Sequence, residues 1–366
     1  MSNKKTWVIK IGSSILTNSG QGLAKEAVSA WVNDIVAVRK TGLDIVLVSS
    51  GAVAEGMVRL GLKERPKSLH LLQAAAATGQ MGLIQLYESN FQKHQLHTAQ
   101  VLLTHDDLKS RERYLNARST LKNLLSLNVI PVVNENDTVV TDEIRFGDND
   151  TLAALVANLM EAEKLILLTD QLGLYDRNPA IHAESTLIRE AQSSDPRLDQ
   201  WAGEGGALGR GGMVTKIAAS RIAARSGAST LIAPGLEPQI IKRLAGGEEI
   251  GTLIRADREL LASRKRWLAG LQSRGRLTLD AGAAEVLKRQ GRSLLPVGVR
   301  EVFGHFSRGD LVSCFDEKGN ELARGLINYN SEETRLLLGV SSRNIESILG
   351  YVGEDELIHR DNLVLI

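Results

Sequence analysis

A single cysteine, Cys314, in 366 residues excludes an internal disulfide framework and suits a reducing compartment. Metal-ligand cysteine pairs are absent, as is a His-Glu-x-x-His zinc motif. No Gly-x-Ser-x-Gly nucleophile elbow occurs. The seven histidines are scattered and form no constellation. Lysine plus arginine nearly balances aspartate plus glutamate, leaving a net charge of +1, so bulk charge argues for neither a nucleic-acid nor a membrane partner. No apolar run approaches the ~18 residues that span a bilayer. The segment Met1–Thr6 is polar and lacks the apolar core of a secretory leader, so the expected location is the cytoplasm.

What remains is an ordinary globular composition, 43% hydrophobic and 24% charged. At about 100–200 residues per domain, the length predicts two domains or three. Short β-branched runs at Trp7–Ile11, Asp44–Ser49, Ala99–Leu103, Val129–Val133, Lys164–Thr169 and Thr230–Ala233 alternate with helical patterns. Those helices are expected near Ala24–Lys40, Leu69–Lys93, Arg111–Leu127, Thr151–Glu163 and Thr215–Ser226. Such alternation predicts an α/β domain over residues 1–254, a mainly parallel sheet sandwiched by helices. Its ligands belong at the carboxyl ends of the strands. Residues 255–275 read as a basic helical linker, with seven Arg or Lys against two acidic residues between Arg255 and Arg276. Shorter strand-like runs at Arg276–Leu279, Leu311–Phe315 and Glu321–Leu326 then predict a small β-rich domain over 276–366.

The chemistry-bearing segments lie just after strands. Lys10-Ile11-Gly12-Ser13-Ser14 ends the first, where glycine lets backbone approach phosphate oxygens and Lys10 supplies positive charge. Gly-Ser-Ser alone also reads as a plain turn, but an unpaired lysine inside an apolar strand is costly. Ser49-Ser50-Gly51-Ala52 ends the second strand, and reads equally as an anion site at a helix N-terminus or as a serine cap. Acidic and amide residues crowd Asn134-Glu135-Asn136-Asp137 and Phe146-Gly147-Asp148-Asn149-Asp150, more than one helix cap requires. Carboxylates there call for cationic partners: a substrate ammonium, Mg²⁺ or the site's own lysines. Thr169-Asp170 could hold a nucleotide's sugar or base, or form a polar turn. Gly211-Gly212-Met213-Val214-Thr215-Lys216 is neither a Walker A motif nor Gly-x-Gly-x-x-Gly, yet a glycine loop opening a helix can cradle phosphates by the same physics.

Together and in order, these segments resemble the amino-acid kinase family, and more narrowly its branch acting on the side-chain carboxylate of glutamate. Leu168 to Tyr175 and the helix segment Arg111 to Arg118 share the resemblance, which runs along essentially the whole chain. Phe306 to Val312 and Gly325 to Tyr329 resemble a PUA domain, which by itself does not show that this copy binds RNA. The resemblance implies ATP-dependent phosphorylation of the γ-carboxylate of L-glutamate to γ-glutamyl phosphate, the first step of proline biosynthesis. It implies Lys10 and Lys216 as charge stabilisers with Asp150 between them. It assigns Ser50, Gly51, Asn134, Asp137 and Asn149 to glutamate, with Asp137 pairing its ammonium. ATP falls to Lys10, Gly12, Thr169, Asp170, Gly211, Gly212, Met213, Thr215 and Lys216. It implies Mg²⁺ held mainly by phosphates and water rather than by protein ligands, and proline as feedback inhibitor. A homo-oligomer is expected.

Overall fold

Long runs of β-branched and leucine residues have no polar face to show to water, so their strands must be covered on both sides. The computed structural model, which describes residues 5–18, 22–140, 149–203, 212–257, 272–290, 292–351 and 353–366, places them so. The first strands are Thr6–Ile11 (β1), Asp44–Ser49 (β2), Thr98–Leu103 (β3) and Ile130–Glu135 (β4). Lys164–Thr169 (β5), Glu190–Gln192 (β6), Ser229–Pro234 (β7) and Thr252–Arg255 (β8) follow. They form one eight-stranded sheet in the order β3-β4-β2-β1-β5-β7-β8-β6. Every neighbouring pair is parallel except β7 with β8. In β1, β2 and β5 all residues but the first are buried, and β4 is buried throughout.

The chain builds outward from β1 through β2 to β4 and β3, then returns to the other flank of β1 with β5 and β7. That reversal opens a crevice beyond the carboxyl ends of β1, β2, β4 and β5. Two helices beside it, Ala52–Arg59 and Leu69–Gln92, approach backbone to backbone. A Cβ at Gly56 would stand 1.7 Å from the Ala75 carbonyl oxygen, and one at Gly79 1.9 Å from that of Ala52. Glycine is thus a packing requirement there, and it fixes the start of the first helix against the middle of the second.

By compactness the chain divides into two units, 1–108 with 118–261 and 109–117 with 262–366. The second contains a five-stranded sheet of Gly275–Leu279 (β9), Val299–Gly304 (β10), Leu311–Phe315 (β11), Glu321–Leu326 (β12) and Leu363–Leu365 (β13), ordered β10-β9-β11-β12-β13. Leu277, Val312, Cys314, Ile327 and Tyr329 lie at its core. Leu115, from the grouped segment 109–117, packs with Leu311, Leu326 and Val364, and Arg111 Nη1 lies 3.3 Å from Asp310 Oδ1.

The strands and helices expected in the first 250 residues agree with these within two or three residues at each end. The sequence did not announce β6, β8, β10 and β13, nor the helix Ala281–Gln290. Strands β6, β8 and β13 hold only three or four residues, too few for alternation to register. In β10 a register shift between Val299 and Glu301 breaks the period of two. Most of the expected linker 255–275 lies outside the described residues.

Candidate active site

Lys10 is the fifth residue of β1, with apolar neighbours on either side along the strand, and is 4% exposed. An ammonium buried there requires an anion. Asp150, fully buried at the start of the helix Asp150–Met160, supplies it: Lys10 Nζ lies 2.5 Å from Asp150 Oδ1. The other oxygen of the same carboxylate, Oδ2, is 2.9 Å from Lys216 Nζ. Lys216 is also 4% exposed and stands in the first turn of the helix Met213–Ala224. Thr215 Oγ1 lies 2.9 Å from the same Oδ2 and 2.8 Å from the Gly212 carbonyl, so its one hydroxyl proton has both as acceptors within reach. One carboxylate therefore spaces two ammonium groups from opposite flanks of the crevice. Burial pushes the Asp150 carboxyl upward, but the charges of Lys10 and Lys216 and their hydrogen bonds outweigh it and hold the group far below the usual carboxylate range.

Beside this charged triad runs a chain of neutral amides. Asn149, immediately before Asp150, donates through Nδ2 to the Ser49 carbonyl at 2.5 Å and to Asn134 Oδ1 at 2.6 Å. Asn134 Oδ1 also accepts from the Glu135 backbone N–H at 2.9 Å, and its own Nδ2 donates to Gln80 Oε1 at 2.7 Å. Ser49 Oγ lies 3.2 Å from Tyr87 OH. The Ser50 hydroxyl is buried and has no hydrogen-bond partner among the described residues. Gly51 follows with φ +89°, starting the helix Ala52–Arg59; a Cβ there would meet Thr17 Cγ2 at 2.7 Å. Asp137 lies two residues beyond β4, and burial pushes its carboxyl up to about 6, with Arg65 pulling the other way. A carboxylate so raised is one that gains from an added cation.

The remaining sequence-predicted residues lie at or just beyond strand ends and at the start of the helix Met213–Ala224. Thr169, buried at the end of β5, donates its hydroxyl to Asp170 Oδ1 at 3.0 Å, and Asp170 itself is exposed. Gly212 is exposed and stands at the N-cap of the helix Met213–Ala224, where no side-chain cap is found among the described residues. Met213 is half-buried. Gly12 differs from expectation. Its N–H is committed to the Leu168 carbonyl at 3.0 Å, and a Cβ there would lie 3.1 Å from that oxygen. What Gly12 offers the crevice is the absence of a side chain rather than a donor. Gly211 and the segment Phe146-Gly147-Asp148 lie outside the described residues.

Sequence reasoning missed Gln80 and Tyr87, both on the helix Leu69–Gln92. The available signal was a glutamine following Ala74–Gly79, on a stretch otherwise made of small apolar residues and threonine.

Residues 5–234 match the model of the amino acid kinase family, and residues 275–349 match that of the PUA domain. A protein of Saccharophagus degradans named glutamate 5-kinase is 60% identical over 363 residues, covering 99% of this chain and 97% of the relative. Its namesake in Chromohalobacter salexigens is 61% identical over 360 residues, covering 98% and 95%. That of Thioalkalivibrio sulfidiphilus is 61% identical over 364 residues, covering 99% and 97%. With a family model spanning more than half its length and such relatives along nearly all of it, the chain belongs to the amino acid kinase family.

Proposed function

We propose that this chain transfers the γ-phosphoryl group of ATP to the γ-carboxylate of L-glutamate, giving γ-glutamyl phosphate and ADP and opening proline biosynthesis. One observation carries the phosphoryl-transfer half: two buried ammonium groups held on a single carboxylate at the strand ends. The acceptor half rests on the names of the relatives and on Asp137, a carboxylate suited to an amino acid's ammonium.

The nucleophile needs no activation, because a side-chain carboxylate with pKa near 4.3 is ionised at pH 7. Its oxygen bonds to the γ-phosphorus as the bond from that phosphorus to the β–γ bridging oxygen breaks. ADP leaves with the electron pair, and no proton moves. The barrier is repulsion between an anion and a polyanion, so alignment and charge stabilisation do the work. Lys10 and Lys216 offset charge on the phosphoryl oxygens, and Asp150 keeps both in register. Thr169, Asp170, Gly212, Met213 and Thr215 line the nucleotide side. Ser50, Gly51, Asn134, Asp137 and Asn149 receive the amino acid.

Each oxygen of the buried Asp150 carboxylate faces a lysine, so that carboxylate is already matched by charge. This supports Mg²⁺ entering with the nucleotide, on phosphate oxygens and water, where it would neutralise phosphate charge. Proline carries the same amine and α-carboxylate as glutamate, which supports competition at Asp137 and feedback control. No helix among the described residues is long and apolar enough to cross a membrane. A cytoplasmic location is supported by the one thiol, Cys314, free and buried, and the proposed domains are residues 1–254 and 276–366, joined by 255–275.

The test is ADP release with L-glutamate, L-aspartate and N-acetylglutamate, with hydroxylamine trapping of the acyl phosphate. Glutamate alone should give both ADP and a hydroxamate. Faster turnover of N-acetylglutamate, which has no ammonium, would overturn the assignment of Asp137.

A further inference from the structure

The amide chain has a direction that can be read without ambiguity. A backbone N–H only donates, so the Asn134 atom that meets the Glu135 N–H is its oxygen. A backbone carbonyl only accepts, so the Asn149 atom that meets the Ser49 carbonyl is its nitrogen. Asn134 therefore presents NH₂ to Gln80, and the Gln80 atom facing it at 2.7 Å must be oxygen. The remaining end of Gln80, Nε2, is then a donor. That nitrogen is buried and has no hydrogen-bond partner among the described residues, and Gln80 as a whole is 8% exposed. A native structure seldom leaves such a donor unmet. Asn149 spends Nδ2 on two protein acceptors, so toward a ligand it keeps its carbonyl oxygen.

We propose that Gln80 is a further substrate-binding residue, whose side-chain NH₂ donates to the α-carboxylate of the amino-acid substrate. This rests on the glutamate kinase reading and deepens it. The γ-carboxylate must face the phosphates near Lys10 and Lys216. The α-carboxylate shares its carbon with the ammonium assigned to Asp137, and Gln80 is bonded to Asn134, three residues before Asp137. A second buried group without a partner among the described residues, the Ser50 hydroxyl, follows the residue whose carbonyl anchors the amide chain. The two ends of the chain thus offer complementary groups: an acceptor oxygen at Asn149 for the ammonium, and a donor at Gln80 for the carboxylate.

The variant Gln80→Glu has nearly the same shape and still accepts from Asn134, but its outer atom is an oxygen. It should raise the KM for L-glutamate about 10- to 100-fold, as expected for losing a hydrogen bond to a charged group. The KM for ATP should stay within about threefold. The preference for glutamate over its α-carboxamide analogue, which keeps the γ-carboxylate, should shrink at least tenfold, because a carboxylate at position 80 accepts from an amide. Unchanged KM for glutamate, or equal losses on both amino acids, would overturn the proposal and leave Gln80 a structural residue satisfied by water. A measurement on the unaltered chain does not depend on the variant folding. With ¹⁵N-glutamine labelling, one side-chain amide pair should shift on adding L-glutamate, and further than on adding the α-carboxamide analogue, whose neutral carbonyl is the weaker acceptor; no shift with L-glutamate refutes the contact. If the unaltered enzyme releases no ADP with glutamate, the functional reading itself fails, and that outcome is distinct from either result at Gln80.

Discussion

Replacing Asp150 by asparagine keeps the shape of the residue and removes the charge that two lysines share. The carboxylate is fully buried, with Lys10 Nζ 2.5 Å from one oxygen and Lys216 Nζ 2.9 Å from the other. Asparagine can accept from one ammonium but turns its own NH₂ toward the second. Breaking a buried pair in this way costs about 3–5 kcal/mol. Two ammonium groups roughly 6 Å apart then repel by about 3 kcal/mol at an effective dielectric of 20. From the pair-breaking cost alone, the free protein should melt about 6–20 °C lower, at 2–4 °C per kcal/mol for a unit of this size. With both lysines displaced, kcat should fall by about 10²- to 10⁴-fold, each being asked for ~3 kcal/mol in the transition state. Nucleotide affinity should move the opposite way. Removing an anion from a polyanion site leaves the dissociation constant for a non-hydrolysable ATP analogue equal or lower, and that analogue should restore much of the lost melting temperature. Calorimetric binding, thermal melts with and without the analogue, and ADP release measure these three quantities. A variant that melts within 2 °C of the parent and turns over within about threefold would refute the reasoning, as would nucleotide affinity falling in step with kcat. The pH dependence has a fixed sign. A carboxyl held low by two lysines stabilises the folded state above its unfolded pKa of about 4 and loses that contribution as pH falls toward the folded value. The variant should therefore show a flatter acid limb of stability.

Lys10→Ala and Lys216→Ala should each lower kcat by about 10²-fold or more; near-normal turnover in either folded variant removes that lysine from the mechanism. Burial raises the Asp137 carboxyl to about 6, so kcat/KM for glutamate should fall as pH drops through that value while the KM for ATP changes little. Asp137→Asn should abolish that limb and raise the glutamate KM throughout; a limb that survives would assign it to another group. A chain ending at Leu268 removes Leu311, Leu326 and Val364, against which the buried Leu115 packs, so we expect glutamate kinase activity to persist at a lower melting temperature. Soluble, folded truncations without any activity would make the C-terminal part integral to the enzyme.

How much of this was legible in the sequence depends on distance along the chain. Lys10 stood out because an ammonium within an apolar strand demands an explanation, and its partner Asp150 lay in a cluster too rich in carboxylates and amides for capping alone. Both signals are local. Gln80 gave a weaker one, since a glutamine in a helix is ordinarily solvated; its meaning comes from a hydrogen bond to a residue 54 positions away. The helix Arg111–Ser126 was legible as a helix from its period, but period names the apolar residues without naming the core they enter. Leu115 enters the core of the second unit, whereas Arg118, three residues on, bonds the Leu159 carbonyl at 3.1 Å in the first. No composition shift marks a change between those residues. Nor could the Gly12 motif show that its N–H is taken by Leu168.

The division between charged and neutral recognition follows from the substrate's own symmetry. Glutamate has a carboxylate at each end, so a lysine on the amino-acid side would hold either carboxylate with similar strength and permit the reversed orientation. Neutral amide groups discriminate instead by position, since a hydrogen bond falls away steeply with distance and angle. In the proposed site the cations, Lys10 and Lys216, stand where phosphate must be held, and Asn134, Asn149 and Gln80 stand where orientation must be chosen. Asp150 serves the same end. Two lysines and one carboxylate leave a single net positive charge buried between the flanks, enough to favour a polyanion but less than two free ammonium groups would exert on ADP as it leaves. The carboxylate also holds both cations in place before nucleotide arrives, so little reorganisation remains when the phosphoryl group moves. An anion inside an anion-binding site is thereby consistent with catalysis: Asp150 gives up ground-state attraction for fixed geometry, and the Asp150→Asn variant should reverse that exchange.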